Sequence, residues 1–282
     1  MNQADNENDL IKPDSDTLTY DKYLKINELL SLQEVLSEPQ QHDEMLFIII
    51  HQSYELWFKQ MLHEVLRCQR LLENDQLQPV LRSMKRIDSI QKVLVKKVDI
   101  LETMAPDEFN LFRGQLNPAS GFQSHQFRIF EYKLGLKNKA YFKYHQHEPE
   151  TLKKLEQVIK EPSLYDSFLA YLKRQGFDIP DEVLNRDLST PHQSNEKVVD
   201  VFEGIYRNQM EHYTIYSFLE SLIDMDEQFT IWRYRHMLMV QRMIGSLSGT
   251  GGSLGAKYLA TTLQKQLYPE IWDVRNKLGT SY

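Results

Sequence analysis

One cysteine, Cys68, stands in 282 residues. An intrachain disulfide and a thiolate metal cluster are therefore excluded, and the composition fits a reducing compartment. Glycine is also scarce: there are 11, and five of them fall between Gly245 and Gly255. The rest of the chain is nearly free of turn formers, as in an all-helical protein. No apolar stretch approaches the ~20 residues a membrane span needs. The opening MNQADNENDLIKPDSD lacks the positive region and apolar core of a signal peptide. Net charge is −7 with no long basic block, which argues against nucleic acid as a partner. The expectation is a cytoplasmic protein with a flexible polar leader, residues 1–16, ahead of one domain, residues 17–282.

What is present is helical periodicity. LTYDKYLKINELLSLQ is a short amphipathic piece that ends near Pro39. A long helix is predicted over 42–73 and a second over 78–104, where Val80, Met84, Ile87, Ile90 and Leu94 recur at spacings of three and four. Pro106 opens another helix, since proline is tolerated in a first turn. NPASGFQSHQFRIFEYKLG reads as a turn and then a helix capped by Ser120 or Ser124. Prolines 149, 162, 180 and 191 break residues 137–192 into short helices. Long helices are predicted over 195–225 and 226–247, then a loop, SGTGGSLG, and a C-terminal helix from about residue 254. The class is all-α, with long helices packed antiparallel.

Several motifs invite chemistry, and two fail at once. A di-metal carboxylate site needs Glu-x-x-His pairs, and none is present. GGSLG matches a nucleophile elbow, but a helix precedes it where a strand is required. His51 is more informative. It ends the apolar run Met45–Ile50, and the apolar positions then resume at helical spacing. It is a satisfied core histidine, a metal ligand or a substrate contact. In WRYRHMLMVQRMIG, His236 shares a helical stripe with Trp232, Met239, Val240 and Met243. It is either a core histidine or an imidazole offered to haem iron from an apolar wall. Arg233, Arg235 and Arg242 either face haem propionates or form a solvated face. Arg113, beside aromatic residues, can fork onto a carboxylate or pair at the surface. Four glycines in seven residues, at 249, 251, 252 and 255, exceed what a connector needs and favour a loop folded over a ligand.

Taken together, HDEMLFIIIHQSYELW, FRGQLNPASGFQS and WRYRHM followed by GTGGSLG resemble the tryptophan 2,3-dioxygenase family. The resemblance runs from LTYDKYL through FLESLIDMDEQFTIWRYRHM without obvious insertion. It implies an all-helical haem enzyme that cleaves the indole C2–C3 bond of L-tryptophan with O₂, giving N-formyl-L-kynurenine, the first step of the kynurenine pathway. It further implies haem b, one per subunit and active as Fe(II), with His236 as its axial ligand. His51 becomes the distal histidine that accepts the indole N–H. Phe47, Ile48, Ile49, Ile50 and Phe109 become substrate contacts, Arg113 the carboxylate partner, and Thr250 a contact for the amino-acid end. Leu116, Ser120, Gly249 and Gly251 are implied around the haem. The family is a homotetramer, a dimer of dimers. By resemblance residues 17–38 cross to a neighbouring subunit, where Tyr20, Tyr23 and Leu24 help close the site. One departure is Phe109, where some bacterial members carry a tyrosine whose hydroxyl reaches the substrate carboxylate; here Arg113 must do more. A helical oligomer without chemistry, and a dioxygenase of broader indole specificity, are the rival readings.

Overall fold

The computed structural model describes residues 17–249 and 255–279, and every regular element among them is a helix. The N-terminal arm carries two short helices, α1 (Tyr20–Leu24) and α2 (Ile26–Leu30), neither with a buried residue. Then comes α3 (His42–Glu73), whose first turn holds Asp43 and Glu44, the charge sign that suits a helix N-terminus. Its buried stripe runs Ile50, Tyr54, Phe58, Met61, Val65, Cys68 and Leu72, with steps of three and four. Residues 74–76 turn the chain back into α4 (Leu77–Leu101), with Asp75 at a positive φ of 56°. That helix answers with Val80, Met84, Ile87, Ile90, Leu94 and Val98. Each fully buried side chain of this kind contributes ~1.5–3 kcal/mol, so the α3–α4 seam anchors the fold.

Pro106 opens α5 (Pro106–Arg113), followed by 3₁₀ turns at Gly114–Leu116 and Gly121–Gln123. Ser120 caps the second of these and Ser124 caps α6 (His125–Leu134). After a 3₁₀ segment, Lys139–His145, the proline-punctuated stretch forms α7 (Pro149–Val158), α8 (Leu164–Arg174) and α9 (Asp181–Leu184). Then follow α10 (Glu196–Arg207) and the 32-residue α11 (Tyr213–Ile244), which packs along α4. The chain ends in α12 (Ala256–Ala260) and α13 (Pro269–Leu278), the latter against α10.

Two boundaries differ from the sequence expectation. The break between the late helices falls at residues 208–212, not at 225/226. Asn208 closes α10 by donating both its backbone N–H and its side-chain amide to the Gly204 carbonyl. α11 runs unbroken through the acidic IDMDEQ, because Asp226 is buried and accepts from the Leu267 N–H at 2.9 Å and the Trp272 indole at 2.8 Å. The expected single C-terminal helix is two pieces, separated by turns over 261–268. The leader, residues 1–16, lies outside the described residues.

Among the described residues, the arm is tied to the body at its base. Glu44, 1% exposed, accepts from the Leu36 and Ser37 N–H groups at 2.9 and 3.0 Å. Gln52 donates to the Leu32 carbonyl and accepts from Gln33. Beyond these contacts, Leu18, Tyr20, Tyr23, Leu30, Leu32 and Leu36 face outward. Cys68 is fully buried, and burial pushes its thiol up to about 12.

Candidate active site

The apolar run on α3 serves two walls. Ile50 turns into the main core, Ile48 is half-buried and Ile49 is largely exposed, so these three do not share one surface. Phe47 points the other way, into a separate cluster formed around Met104, Phe112 and Met243. Phe109, Leu116, Met239 and Ile244 pack on the same cluster. Side chains from α3, α5, the Gly114–Leu116 turn and α11 thus line one apolar recess. Its aromatic wall is ordered: Phe47 stacks on Phe109 at 5.9 Å and meets Phe112 edge-on at 5.8 Å, while Phe109 and Phe112 are perpendicular at 5.3 Å. Such pairs add ~0.5–1.5 kcal/mol beyond their buried area and fix ring orientation.

His51 lies one turn after Phe47, with ring centroids 4.0 Å apart. Its Nδ1 is 2.7 Å from the Phe47 carbonyl oxygen. A carbonyl can only accept, so Nδ1 carries the proton and Nε2 of the neutral ring keeps a lone pair. Burial lowers the His51 pKa, opposed by the Phe47 carbonyl and the Glu55 charge. The ring is nonetheless reached by solvent.

His236 comes from α11, one helical step from Met239 and two turns from Met243, which line the same recess. Burial, and secondarily the nearness of His51, pushes its pKa down to about 4. Both imidazoles are thus held below the ordinary 6.5 and are neutral near pH 7. Among the described residues no oxygen or nitrogen hydrogen-bonds to His236. Its ring lies parallel to Trp232, 10° between planes and 5.4 Å between centroids.

At the rim, Arg113 ends α5 and its Nη2 donates to the Ser248 carbonyl. This places the guanidinium against the start of the glycine loop, beside Gly249. The loop's far end closes tightly: Gly255 has φ +58°, and a Cβ there would come 2.8 Å from the Leu247 carbonyl. Only glycine is tolerated in that approach. Thr250 and Gly251 lie outside the described residues. Ser120 is committed locally, its hydroxyl accepting from the Phe122 N–H at 3.3 Å while Gln123 accepts from the Ser120 N–H. Tyr20, Tyr23 and Leu24 stand exposed on the arm and are not among the side chains of this cluster.

The arginines of α11 do not gather at the recess. Arg233 is buried and donates to the carbonyls of Thr262 and Lys265 at 3.3 and 3.1 Å. Arg235 pairs with Asp99 at 2.6 Å and Glu102 at 3.2 Å on α4, and Arg242 approaches Glu102 at 3.8 Å. Sequence reasoning missed Met104 and Phe112 as lining. Their signal was weak, since each occupies an ordinary apolar position on or beside a short helix.

Fold and recess define a class: an all-helical protein with an apolar recess walled by aromatic and methionine side chains, beside which stand two histidines and one arginine. Comparison with known proteins narrows this. The model of the family described as tryptophan 2,3-dioxygenase matches residues 4–161 and 201–278. The chain is 42% identical to a tryptophan 2,3-dioxygenase of Arthrobacter sp. (strain FB24) over 97% of its own length and 96% of that protein's. It is 46% identical to one from Herpetosiphon aurantiacus, over 94% of this chain and 100% of the relative. A third, from Myxococcus xanthus, is 41% identical over 99% of this chain and 96% of the relative. The chain belongs to the tryptophan 2,3-dioxygenase family.

Proposed function

We propose that the protein cleaves the indole C2–C3 bond of L-tryptophan with O₂, yielding N-formyl-L-kynurenine, with haem b bound in the recess, one per subunit. The residues suit that group. His236 offers a neutral, unpaired imidazole from an apolar wall, the state an axial ligand needs. Met239, Met243, Leu116 and Phe47 supply the apolar surroundings of a flat macrocycle. When bound as Fe(II), haem supplies the binding and activation of O₂.

The observation that carries the proposal is the tautomer of His51. With its Nδ1 proton committed to the Phe47 carbonyl, Nε2 is left as an acceptor in an otherwise apolar recess. An indole N–H is the donor that matches it. Phe47 and Phe109 then flank the ring, and Arg113 takes the carboxylate at the mouth. The glycine loop, with Thr250, would hold the amino-acid end, and Leu116, Ser120, Gly249 and Gly251 would help to hold the haem. Positioning a bound indole against O₂ in a site that excludes water is the protein's main contribution. Phe109 brings no hydroxyl, so Arg113 carries more of the carboxylate recognition.

The exposed leucines and tyrosines of the arm support the assembly. In a homotetramer, Tyr20, Tyr23 and Leu24 would find cover in a neighbouring subunit and close its recess. No helix among the described residues is long and apolar enough to cross a membrane, and we place the enzyme in the cytoplasm. The test is one assay. The haem-loaded protein is reduced, given L-tryptophan and air, and followed by the absorbance of N-formylkynurenine. Product that requires both haem and O₂ supports the proposal. Haem-loaded protein that leaves tryptophan intact overturns it.

A further inference from the structure

A histidine side chain turns easily about its second torsion, because that rotation is sp³–sp² and only broadly restrained. Proteins that use histidine as a metal ligand therefore fix the ring from behind, most often by letting the other N–H donate to a carboxylate or carbonyl oxygen. Among the described residues no such oxygen reaches His236. What reaches it is an aromatic face. Trp232, one turn earlier on α11, lies with its indole 10° from the imidazole plane at a centroid distance of 5.4 Å. That is offset parallel stacking, within the separation at which aromatic pairs hold each other's orientation.

The indole itself has little freedom. Phe127 of α6 stands 5.2 Å away at 52°, Tyr54 of α3 6.4 Å away at 58°, and Phe229 of α11 lies 6.1 Å away and near parallel. Tyr54 is in turn fixed by its hydroxyl, which donates to the Leu94 carbonyl of α4 at 2.7 Å. Three helices thus pack on one indole, with α4 behind Tyr54, and the indole faces one imidazole. We propose that Trp232 is a positioning residue for His236: the clamped indole sets the plane of the imidazole.

The inference rests on the reading of His236 as the axial ligand, and the experiment separates the two. Resonance Raman spectra of the haem-loaded ferrous protein report the iron–imidazole stretch, with haem content measured in parallel. In His236→Ala that band should vanish; a band that survives there removes the ligand assignment itself. Trp232→Phe keeps a ring that can stack, so its band should stay where the wild type has it. Trp232→Leu removes the ring, so its band should broaden and shift at full haem content. Trp232→Met, with a flexible side chain able to refill the space, replaces the leucine variant if that one fails to fold. An aliphatic variant whose band is unmoved while His236→Ala abolishes it would overturn the role of Trp232 and leave the ligand intact. A phenylalanine variant that shifts as far as the aliphatic one would overturn it equally.

Discussion

Replacing Glu44 by alanine should loosen the N-terminal arm without unfolding the domain. The carboxylate accepts two backbone N–H groups, at 2.9 and 3.0 Å. A hydrogen bond to a charged acceptor is worth about 1.5–3 kcal/mol. Glu44 is covered but lies near the surface, and Leu36 can turn its N–H to water, so the lower end applies. The sum is roughly 2–3 kcal/mol, equivalent to a 30- to 150-fold change in the local opening equilibrium on the order of one decade per 1.4 kcal/mol. Hydrogen exchange read by mass spectrometry should show that acceleration across residues 31–40. The melting temperature should move little, because α1 and α2 bury nothing. Acid should mimic the substitution. Burial pushes the Glu44 carboxyl up, but hydrogen bonds from the Ser37 hydroxyl and the two backbone groups outweigh it and hold its pKa below the ordinary 4.5. A depressed carboxyl anchors the arm above that value and releases it as pH falls through the folded one. Exchange in Glu44→Ala that matches the wild type to within a few-fold would refute the anchor.

His51→Ala should slow turnover without abolishing it at unchanged haem content, because the ring orients the indole; zero turnover with haem bound would contradict this. Arg113→Ala should raise KM for tryptophan about 10- to 150-fold, the range for a lost hydrogen bond to a charged group, with kcat changed far less; steady-state kinetics decide it, and an unchanged KM counts against the carboxylate role. Burial pushes the Lys137 ammonium down to about 8, opposed by Asp166 and reinforced by Lys133 and Arg186. The folded protein therefore sheds this proton more readily than the unfolded chain, and stability should rise between pH 8 and the ordinary 10.5 by at most about 3 kcal/mol. Urea midpoints across that window should rise in the wild type and much less in Lys137→Met; equal slopes would remove Lys137 as the cause.

The long helices were legible because their periodicity is strong. The bounds expected for α3, 42–73, are those observed, and the core stripe of α4 was read residue by residue. The break at 208–212 was not legible, because NQMEH contains neither proline nor glycine. Asn208 ends α10 by a side-chain bond that only the folded geometry reveals. The false boundary at 225/226 has the opposite cause. An acidic cluster reads as solvent-facing until tertiary structure supplies the Leu267 and Trp272 donors that Asp226 requires. At the site, His51 and His236 were visible as polar residues in apolar stripes. The tautomer of His51 was not, since it depends on a carbonyl within its own helix. Glu44 was hidden as well, because a glutamate in a first turn looks like an ordinary partner of the helix dipole.

The burial of Cys68 has a practical consequence. The chain's one thiol is shut in the α3 core, with a pKa raised to about 12, so the native protein should be silent to maleimides and iodoacetamides. A cysteine introduced on the arm, at Leu30 for example, would then be the single reactive handle in the molecule. A spectroscopic label placed there needs no cysteine-free background and could report the distance between arms in whatever assembly the protein forms.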